Sequence, residues 1–359
     1  MTRIAAVRGV LPDHRYEQGE ITRTLAETIG VSRTQVAALE RLHAHAGVTT
    51  RHLALPLERY PALRAFGESN DEFLRVAVDL GARALESALA DAGLQPSDVD
   101  LVMTTTVTGL AAPSLDARIA ARIGLRDDVR RVPLFGLGCV AGAAGIARVH
   151  DHLVGHPDHV AVLVAVELCS LTLQRDDTSP ANLVATGLFG DGAAAVVLTG
   201  RDRGGRGPQV LGSRSRLYPG TDRAMGWDVG AGGLKVVLGA EVPDLVRDHV
   251  GDDVDRFLHG EGLTRADVAW WVAHPGGPKV LDALAAALDV PPAALGVTWA
   301  SLDRIGNLSS ASVLHVLADT LRDRPPAPGT HGVLMAMGPG FCLETVLLRA
   351  DDDEGGAAA

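Results

Sequence analysis

Three side chains have types and settings suited to covalent chemistry. Cys139 stands in FGLGCVAGAAGIARVHDHL, residues 135–153, directly after Gly-Leu-Gly and ahead of an alanine- and glycine-rich run. A helix starting there offers the sulfur unpaired N–H groups and a positive dipole end, which favour a thiolate. The small neighbours Gly138, Ala141, Gly142 and Ala143 let a carbonyl substrate approach the backbone. A packed thiol is the plain alternative and the commoner fate of a free cysteine. His274, in WWVAHPGGPKVLDAL, follows a strand-like run and precedes a Pro-Gly-Gly turn. An imidazole there can project into a cleft, or can be structural. Asn307, in GNLSSASVLHVL, follows Gly306 at a helix start, where an N-cap is the plain alternative. A thiol nucleophile needs partners, and these two supply them if the fold brings all three together.

The elements that must do this are legible in outline. VDLVMTTTV, 99–107, has the β-branched content of a buried strand. Ser114 opens and Gly124 closes a helix over SLDARIAARIGL. RVPLF, 131–135, is a second strand and leads through Gly-Leu-Gly into a helix from about Val140 to Leu153. HVAVLVAVEL, 159–168, is apolar on both faces, as in a sheet covered on each side, and GAAAVVLTG, 192–200, is another strand. Helical spacing also runs from Asn70 to Leu94. Past the break RDRGGRGPQ, 201–209, the same kinds of element recur. DVAWWVAHPGG is strand then turn, and PKVLDALAAALDV and NLSSASVLHVLADTL are helices. HGVLMAMGPGFCLETVLLRA is strand, glycine turn and strand. The pattern predicts α/β layers with helices on both sheet faces. Two halves of similar βαβ content are expected, 1–200 with Cys139 and 201–350 with His274 and Asn307, before a disordered tail, 351–359.

Composition bounds the function. The chain has 359 residues, 47% of them hydrophobic, enough for a large core. With 33 basic against 44 acidic side chains, a general nucleic-acid surface is not expected. No apolar run reaches membrane-spanning length. The N-terminus lacks the apolar centre of a signal peptide, so a cytoplasmic protein is expected. Cys139, Cys169 and Cys342 lie far apart and form no CxxC pair, so neither a metal site nor a disulfide framework is expected.

GLGCVAG, LFGDGAAAVV, VAHPGGP, GNLSSASVL and GPGFCLETVLL occur in an order that resembles the type III polyketide synthases, the chalcone-synthase-like family. The likeness covers most of the chain and is weakest before Phe66 and over 201–232. VELCSLTLQRDDTS, 166–179, is similar to the bacterial branch, above all to alkylresorcinol and alkylpyrone synthases. The resemblance implies a thiolase fold, a layered αβαβα subunit acting as a homodimer on coenzyme A thioesters, with no separate cofactor. It implies that Cys139 accepts the acyl group, and that His274 keeps the cysteine ionised and, with Asn307, holds a thioester oxygen. Malonyl-CoA, or methylmalonyl-CoA, would lose carbon dioxide there, leaving an enolate that two N–H donors stabilise. Attack by the enolate on the thioester at Cys139 extends the chain by two carbons.

The resemblance also assigns the surroundings. Phe189, in LFGDG, matches a phenylalanine between the coenzyme A tunnel and the cavity, with core packing as the plain alternative. Val236 stands where the plant enzymes carry a second phenylalanine. Thr172, Cys169 and Ala112 match cavity positions, the last of a residue reaching across the dimer, and Gly340 belongs to a loop shaping the cavity. Small side chains here imply a fatty acyl starter, each buried methylene adding about 0.8 kcal/mol, and an alkylresorcinol or alkylpyrone product. Arg41, helped by Arg51, matches a coenzyme A-binding arginine, although Ala38 and His45 replace the lysines that accompany it. Gly276 matches a backbone contact to the pantetheine arm, and Lys279 is expected near the tunnel mouth. The rivals are a ketoacyl synthase III-type single condensation using acyl carrier protein, and a non-catalytic thiolase-fold partner.

Overall fold

The computed structural model describes residues 1–175 and 177–352. Elements form close to where the spacing predicts them. The strand expected over 99–107 spans Leu101–Thr106. The helix expected from Asn70 starts earlier, at Phe66–Ala92, and ends on Gly93, whose φ of 67° closes it. Gly124 ends the helix Leu115–Ile123 in the same way, with Ser114 at its N-cap. Most of the tail expected to be disordered, 353–359, lies outside the described residues.

Nine strands make one mixed sheet, in the order Val268–Ala273, His331–Gly338, Cys342–Arg349, Gln209–Leu217, Thr2–Val10, Asp191–Thr199, Val160–Leu168, Leu101–Thr106 and Arg130–Phe135. Its seam is the antiparallel pairing of Thr2–Val10 with Gln209–Leu217. Moving outward from the seam on either side, two antiparallel pairings precede a parallel one. The two sides therefore share one plan, and Arg130–Phe135 extends the first as its outer edge.

Period-two alternation sorts side chains between layers. In Val160–Leu168, Val160, Val162, Val164 and Val166 pack with the helix Phe66–Ala92. Ala161, Leu163 and Ala165 pack instead with Ala141–Gly155 and Ser312–Asp323. Across the seam, Val333 and Met335 meet the helices Val242–Gly260 and Pro278–Leu288, while Leu334 and Ala336 turn to the same central pair. The result is five layers, αβαβα, with Ala141–Gly155 and Ser312–Asp323 in the middle. The central strands are covered on both faces, which is why Val160–Leu168 carries no polar alternation.

The sequence reading did not assign the helices Gln18–Ile29 and Arg33–Ala44, or the hairpin of Met225–Gly230 with Gly233–Leu238. Among the described residues, no helix is long and apolar enough to cross a membrane.

Candidate active site

Cys139 lies in the first helical turn, Gly138–Val140, which continues into the helix Ala141–Gly155. Gly138 makes this entry possible: its φ is 55°, and a Cβ there would stand 2.7 Å from the Pro339 ring. Gly142, one turn on, lies against the chain beyond Asn307. A Cβ on it would approach the Ser310 carbonyl oxygen to 2.4 Å. The half-buried Cys139 Sγ is 3.6 Å from Ser309 Oγ. Burial pushes the thiol up to about 12, opposed by the Ser309 hydroxyl.

His274 extends the strand Val268–Ala273 by one residue, its N–H donating to Met335 O at 3.0 Å. The turn folds back at once, Gly276 N–H donating to His274 O at 2.9 Å. Burial alone pushes this imidazole down to about 3, and Nδ1 has no hydrogen-bond partner among the described residues. The ring is therefore neutral at pH 7 and keeps one N–H to donate. Both shifts oppose a resting thiolate–imidazolium pair, and the groups at the sulfur that favour a thiolate are the positive helix end and the Ser309 hydroxyl.

Asn307 does not cap a helix. Its Oδ1 accepts from Ser309 N–H at 2.8 Å and from Ser312 Oγ at 3.4 Å. With the oxygen so engaged, the carboxamide NH₂ is the group left to face a ligand. The backbone of Asn307 pairs with the Phe189 segment: Asn307 N–H donates to Leu188 O and Gly190 N–H to Asn307 O, each at 2.9 Å.

These elements converge. Cys139, His274 and Asn307 line one chamber of about 60 Å³ together with Phe189, Val236, Gly276 and Pro339. Sulfur, imidazole and carboxamide come from three remote parts of the chain, and the central helices and the seam bring them together. Behind Phe189 and Val236 lies an inner chamber of about 40 Å³ whose walls include Cys169, Thr172, Tyr60 and Arg51. Burial pushes the Cys169 thiol well up, with Glu167 and Asp191 adding to the shift, so it stays neutral. The hairpin roofs both chambers through Trp227 and Val236 on one side and Met225 and Val237 on the other. A larger hollow of about 460 Å³, lined by Arg64, Gln174 and Lys235 among others, contains none of the three reactive groups.

The expectations for coenzyme A need one correction. Arg51 is only 2% exposed and offers no surface contact to a phosphate. Its Nε donates to Gln18 Oε1 at 3.0 Å and its Nη1 to Phe189 O at 2.7 Å, so it anchors Phe189 from beneath. Arg41 and Lys279 are exposed. The segments that carry them meet, a Cβ on Gly47 reaching the Pro278 ring at 2.9 Å. Gly340, at φ 73°, lines an adjoining hollow of about 220 Å³ with Pro339. Ala112 is exposed and lines none of the chambers described here. Cys342 is half-buried, its Sγ 3.4 Å from Pro339 O.

The sequence reading missed Ser309 and Glu167. Glu167 is fully buried, accepts from Val107 N–H at 3.1 Å, Thr108 Oγ1 at 2.9 Å and Ser310 Oγ, and is pushed up by burial. It ties the strand Val160–Leu168 to the segment bearing Asn307. Ser309 stands two residues past Asn307 inside a quoted motif, which was the one available signal.

Comparison with known proteins agrees with this geometry. Residues 2–202 match the model for chalcone and stilbene synthases, N-terminal domain, and 209–351 that for the C-terminal domain. The chain is 56% identical over 351 residues to a 1,3,6,8-tetrahydroxynaphthalene synthase of Streptomyces peucetius subsp. caesius, covering 97% of this chain and 93% of that one. It is 32% identical over 354 residues to a 3,5-dihydroxyphenylacetyl-CoA synthase of Amycolatopsis orientalis, covering 97% and 94%. The crystal structure of 1,3,6,8-tetrahydroxynaphthalene synthase from Streptomyces coelicolor A3(2), a bacterial type III polyketide synthase, superposes with a TM-score of 0.91 at 31% identity, covering 97% and 99%. With both family models matched along nearly its whole length and this fold around Cys139, the chain belongs to the chalcone and stilbene synthase family and is a type III polyketide synthase, an acyltransferase acting on coenzyme A thioesters.

Proposed function

We propose that this enzyme builds a malonyl-derived polyketide on Cys139 and closes it to a polyhydroxylated aromatic ring system of the tetrahydroxynaphthalene kind. The observation that carries the reading is the meeting of Cys139, His274 and Asn307 in one chamber. The Cys139 thiolate attacks a malonyl thioester carbonyl and coenzyme A leaves as the thiolate. A second malonyl-CoA loses its carboxylate as carbon dioxide, and the bonding pair stays behind as an enolate. The neutral His274 N–H and the Asn307 NH₂ hold that oxygen without protonating the carbon. The enolate carbon then bonds to the acyl carbonyl on Cys139, expelling the cysteine thiolate, and the lengthened chain reloads for the next round. The loaded malonyl group and four such extensions supply eleven carbons, and loss of the starter's own carboxylate as carbon dioxide leaves the ten of a naphthalene ring system.

The inner chamber supports a polar chain. In a wall that also includes Leu25, Leu53, Leu173 and Trp227, Arg51 Nη2 is buried without a partner among the described residues, and Tyr60, Ser170, Thr172 and Asn182 add polar groups. An alkyl tail would leave the guanidinium unpaired, whereas a poly-β-keto chain brings a carbonyl at every second carbon. The 56% identity to a tetrahydroxynaphthalene synthase supports the same reading. A fatty acyl starter leading to an alkylresorcinol or alkylpyrone is the second reading, favoured by Val236 where a bulkier side chain would narrow the chamber.

A homodimer fits the exposed edge strand Arg130–Phe135, with Phe135 50% exposed and Ala112 open to a partner. The cytoplasm is the compartment this reading assigns. Incubation with malonyl-CoA alone, and with added acyl-CoAs of several lengths, separates the two starters by product mass. Malonyl-CoA alone is expected to give a ten-carbon aromatic product without any carrier protein. Turnover only with a fatty acyl-CoA present would favour the second reading, and a strict need for acyl carrier protein would overturn both.

A further inference from the structure

At and just past the distal end of the helix that begins beside Cys139, the run HDHLVGHPDH holds four histidines, of which His152, His156 and His159 come together. His152 and His156 are four residues apart at the helix end, with ring centroids 4.3 Å apart and planes only 11° from parallel. Pro157 and Asp158 then turn the chain so that His159 comes back beside them, at the start of the strand Val160–Leu168. One ring nitrogen from each residue lies within 4.8 Å of the others, and His152 Nε2 is 3.1 Å from His159 Nδ1. We propose that His152, His156 and His159 form a binding site for one borderline divalent transition-metal ion such as zinc.

Ligand chemistry and geometry both favour such an ion. Imidazole nitrogens without carboxylates suit zinc, nickel or copper and not magnesium or calcium. Zinc–nitrogen bonds of about 2.0–2.1 Å in a tetrahedron place ligand nitrogens about 3.4 Å apart, so the 3.1 Å pair is already near its bound separation. His156 Nδ1 is 3.0 Å from His152 O, and a carbonyl only accepts, so the proton sits on Nδ1 and the lone pair on Nε2. Such a hydrogen bond behind a ligand is the usual device that fixes its tautomer. The Nε2 lone pair now receives Arg130 Nη1 at 2.8 Å, so an exposed cation already stands where a metal ion would bind.

The frame is rigid. Asp202 N–H donates to Pro157 O at 2.9 Å, Gly200 N–H donates to His159 O at 3.0 Å, and Asp100 Oδ2 accepts from Val160 N–H at 2.8 Å. All three histidines are partly exposed, so an ion can enter without unfolding. Three protein ligands leave the fourth position to water. Bound there, the ion would pin the end of the helix Ala141–Gly155 to the following strand, roughly 20 Å along the helix axis from Cys139. The site is separate from the condensing chemistry.

The test uses the full-length, tag-free chain, stripped with chelator and dialysed against zinc chloride, with metal content and melting temperature as readouts. One zinc per chain and a melting temperature that climbs with zinc concentration are expected. His152→Ala and His159→Ala should each weaken binding at least tenfold, while His259→Ala should not. Arg130→Ala should tighten it by freeing His156 Nε2. Because a cysteine thiolate can also bind zinc, the series is repeated with Cys139→Ala. Where an alanine variant folds poorly by circular dichroism, the asparagine variant replaces it. Binding that survives the His152 and His159 substitutions, or that vanishes with Cys139→Ala, would overturn the assignment, as would less than a tenth of an equivalent bound.

Discussion

Gly142 and Ser310 touch so closely that no side chain fits between them: a Cβ on Gly142 would stand 2.4 Å from the Ser310 carbonyl oxygen. That contact joins the helix starting beside Cys139 to the segment carrying Asn307 and Ser309, and so sets the 3.6 Å approach of sulfur to the Ser309 hydroxyl. Gly142→Ala must push the two apart. It should cost about 1–3 kcal/mol of stability and lower kcat by tenfold or more. Gly155→Ala, where a Cβ meets nothing within 4 Å, is the matched control. Thermal melts and malonyl-CoA turnover check both, and equal activity in the two variants would show that the contact does not position the site.

The resemblance assigns His274 the further duty of keeping Cys139 ionised, against burial that holds the thiol up near 12 and the imidazole down near 3. His274→Gln should slow alkylation of Cys139 by iodoacetamide at pH 7 by about tenfold or more and move the rate profile to higher pH. An unchanged profile would leave the helix end alone responsible for the thiolate.

Arg51 holds the Phe189 carbonyl from below and lies close enough to Asp191 for the two charges to interact. Arg51→Met removes a buried cation and leaves the Asp191 carboxyl with only its hydrogen bonds from Ala54 N–H and Ser170. A loss of about 3 kcal/mol is expected, with Arg51→Lys recovering only part of it because the fork of donors is gone. Urea unfolding measures the difference. A loss below 1 kcal/mol for the methionine variant would contradict the anchoring role.

Acid should unfold the protein through its buried neutral histidines. Burial holds His43 and His315 down to about 4 and His274 to about 3, against 6.5 in the unfolded chain. Below pH 6.5 the unfolded chain therefore binds more protons, and stability falls as pH drops toward 4. Asp191, pushed up to about 6 by burial, works the other way below pH 6, because the folded form keeps a proton that the unfolded chain releases. Three histidines outweigh it, so the urea midpoint is expected to fall from pH 6.5 to 5. His315→Gln should flatten that slope by about one proton.

Local chemistry made part of this structure legible before any coordinates. The limits of the helix Leu115–Ile123 follow from Ser114 and Gly124, and the doubly buried strand Val160–Leu168 follows from its unbroken apolar run. Cys139 was found because its neighbours are small and a helix follows. What escaped depends on contacts between distant parts of the chain. An arginine is ordinarily a surface residue, so nothing near Arg51 announces that Gln18 and Phe189 enclose it. Ser309 reaches Cys139 only because its backbone turns to φ 48° and Gly142 admits the neighbouring carbonyl. The roofing hairpin, Met225–Gly230 with Gly233–Leu238, has few buried residues and so little apolar pattern to reveal it.

In the proposed function the growing chain is carried on the Cys139 sulfur, in the chamber that His274 and Asn307 also line. Peptide mass mapping after brief exposure to malonyl-CoA tests it most directly. An acyl mass on the peptide containing Cys139, absent after Cys139→Ala together with all product, is the predicted result. Product formation that persists in Cys139→Ala, or an acyl group found on Cys169 or Cys342 instead, would contradict it.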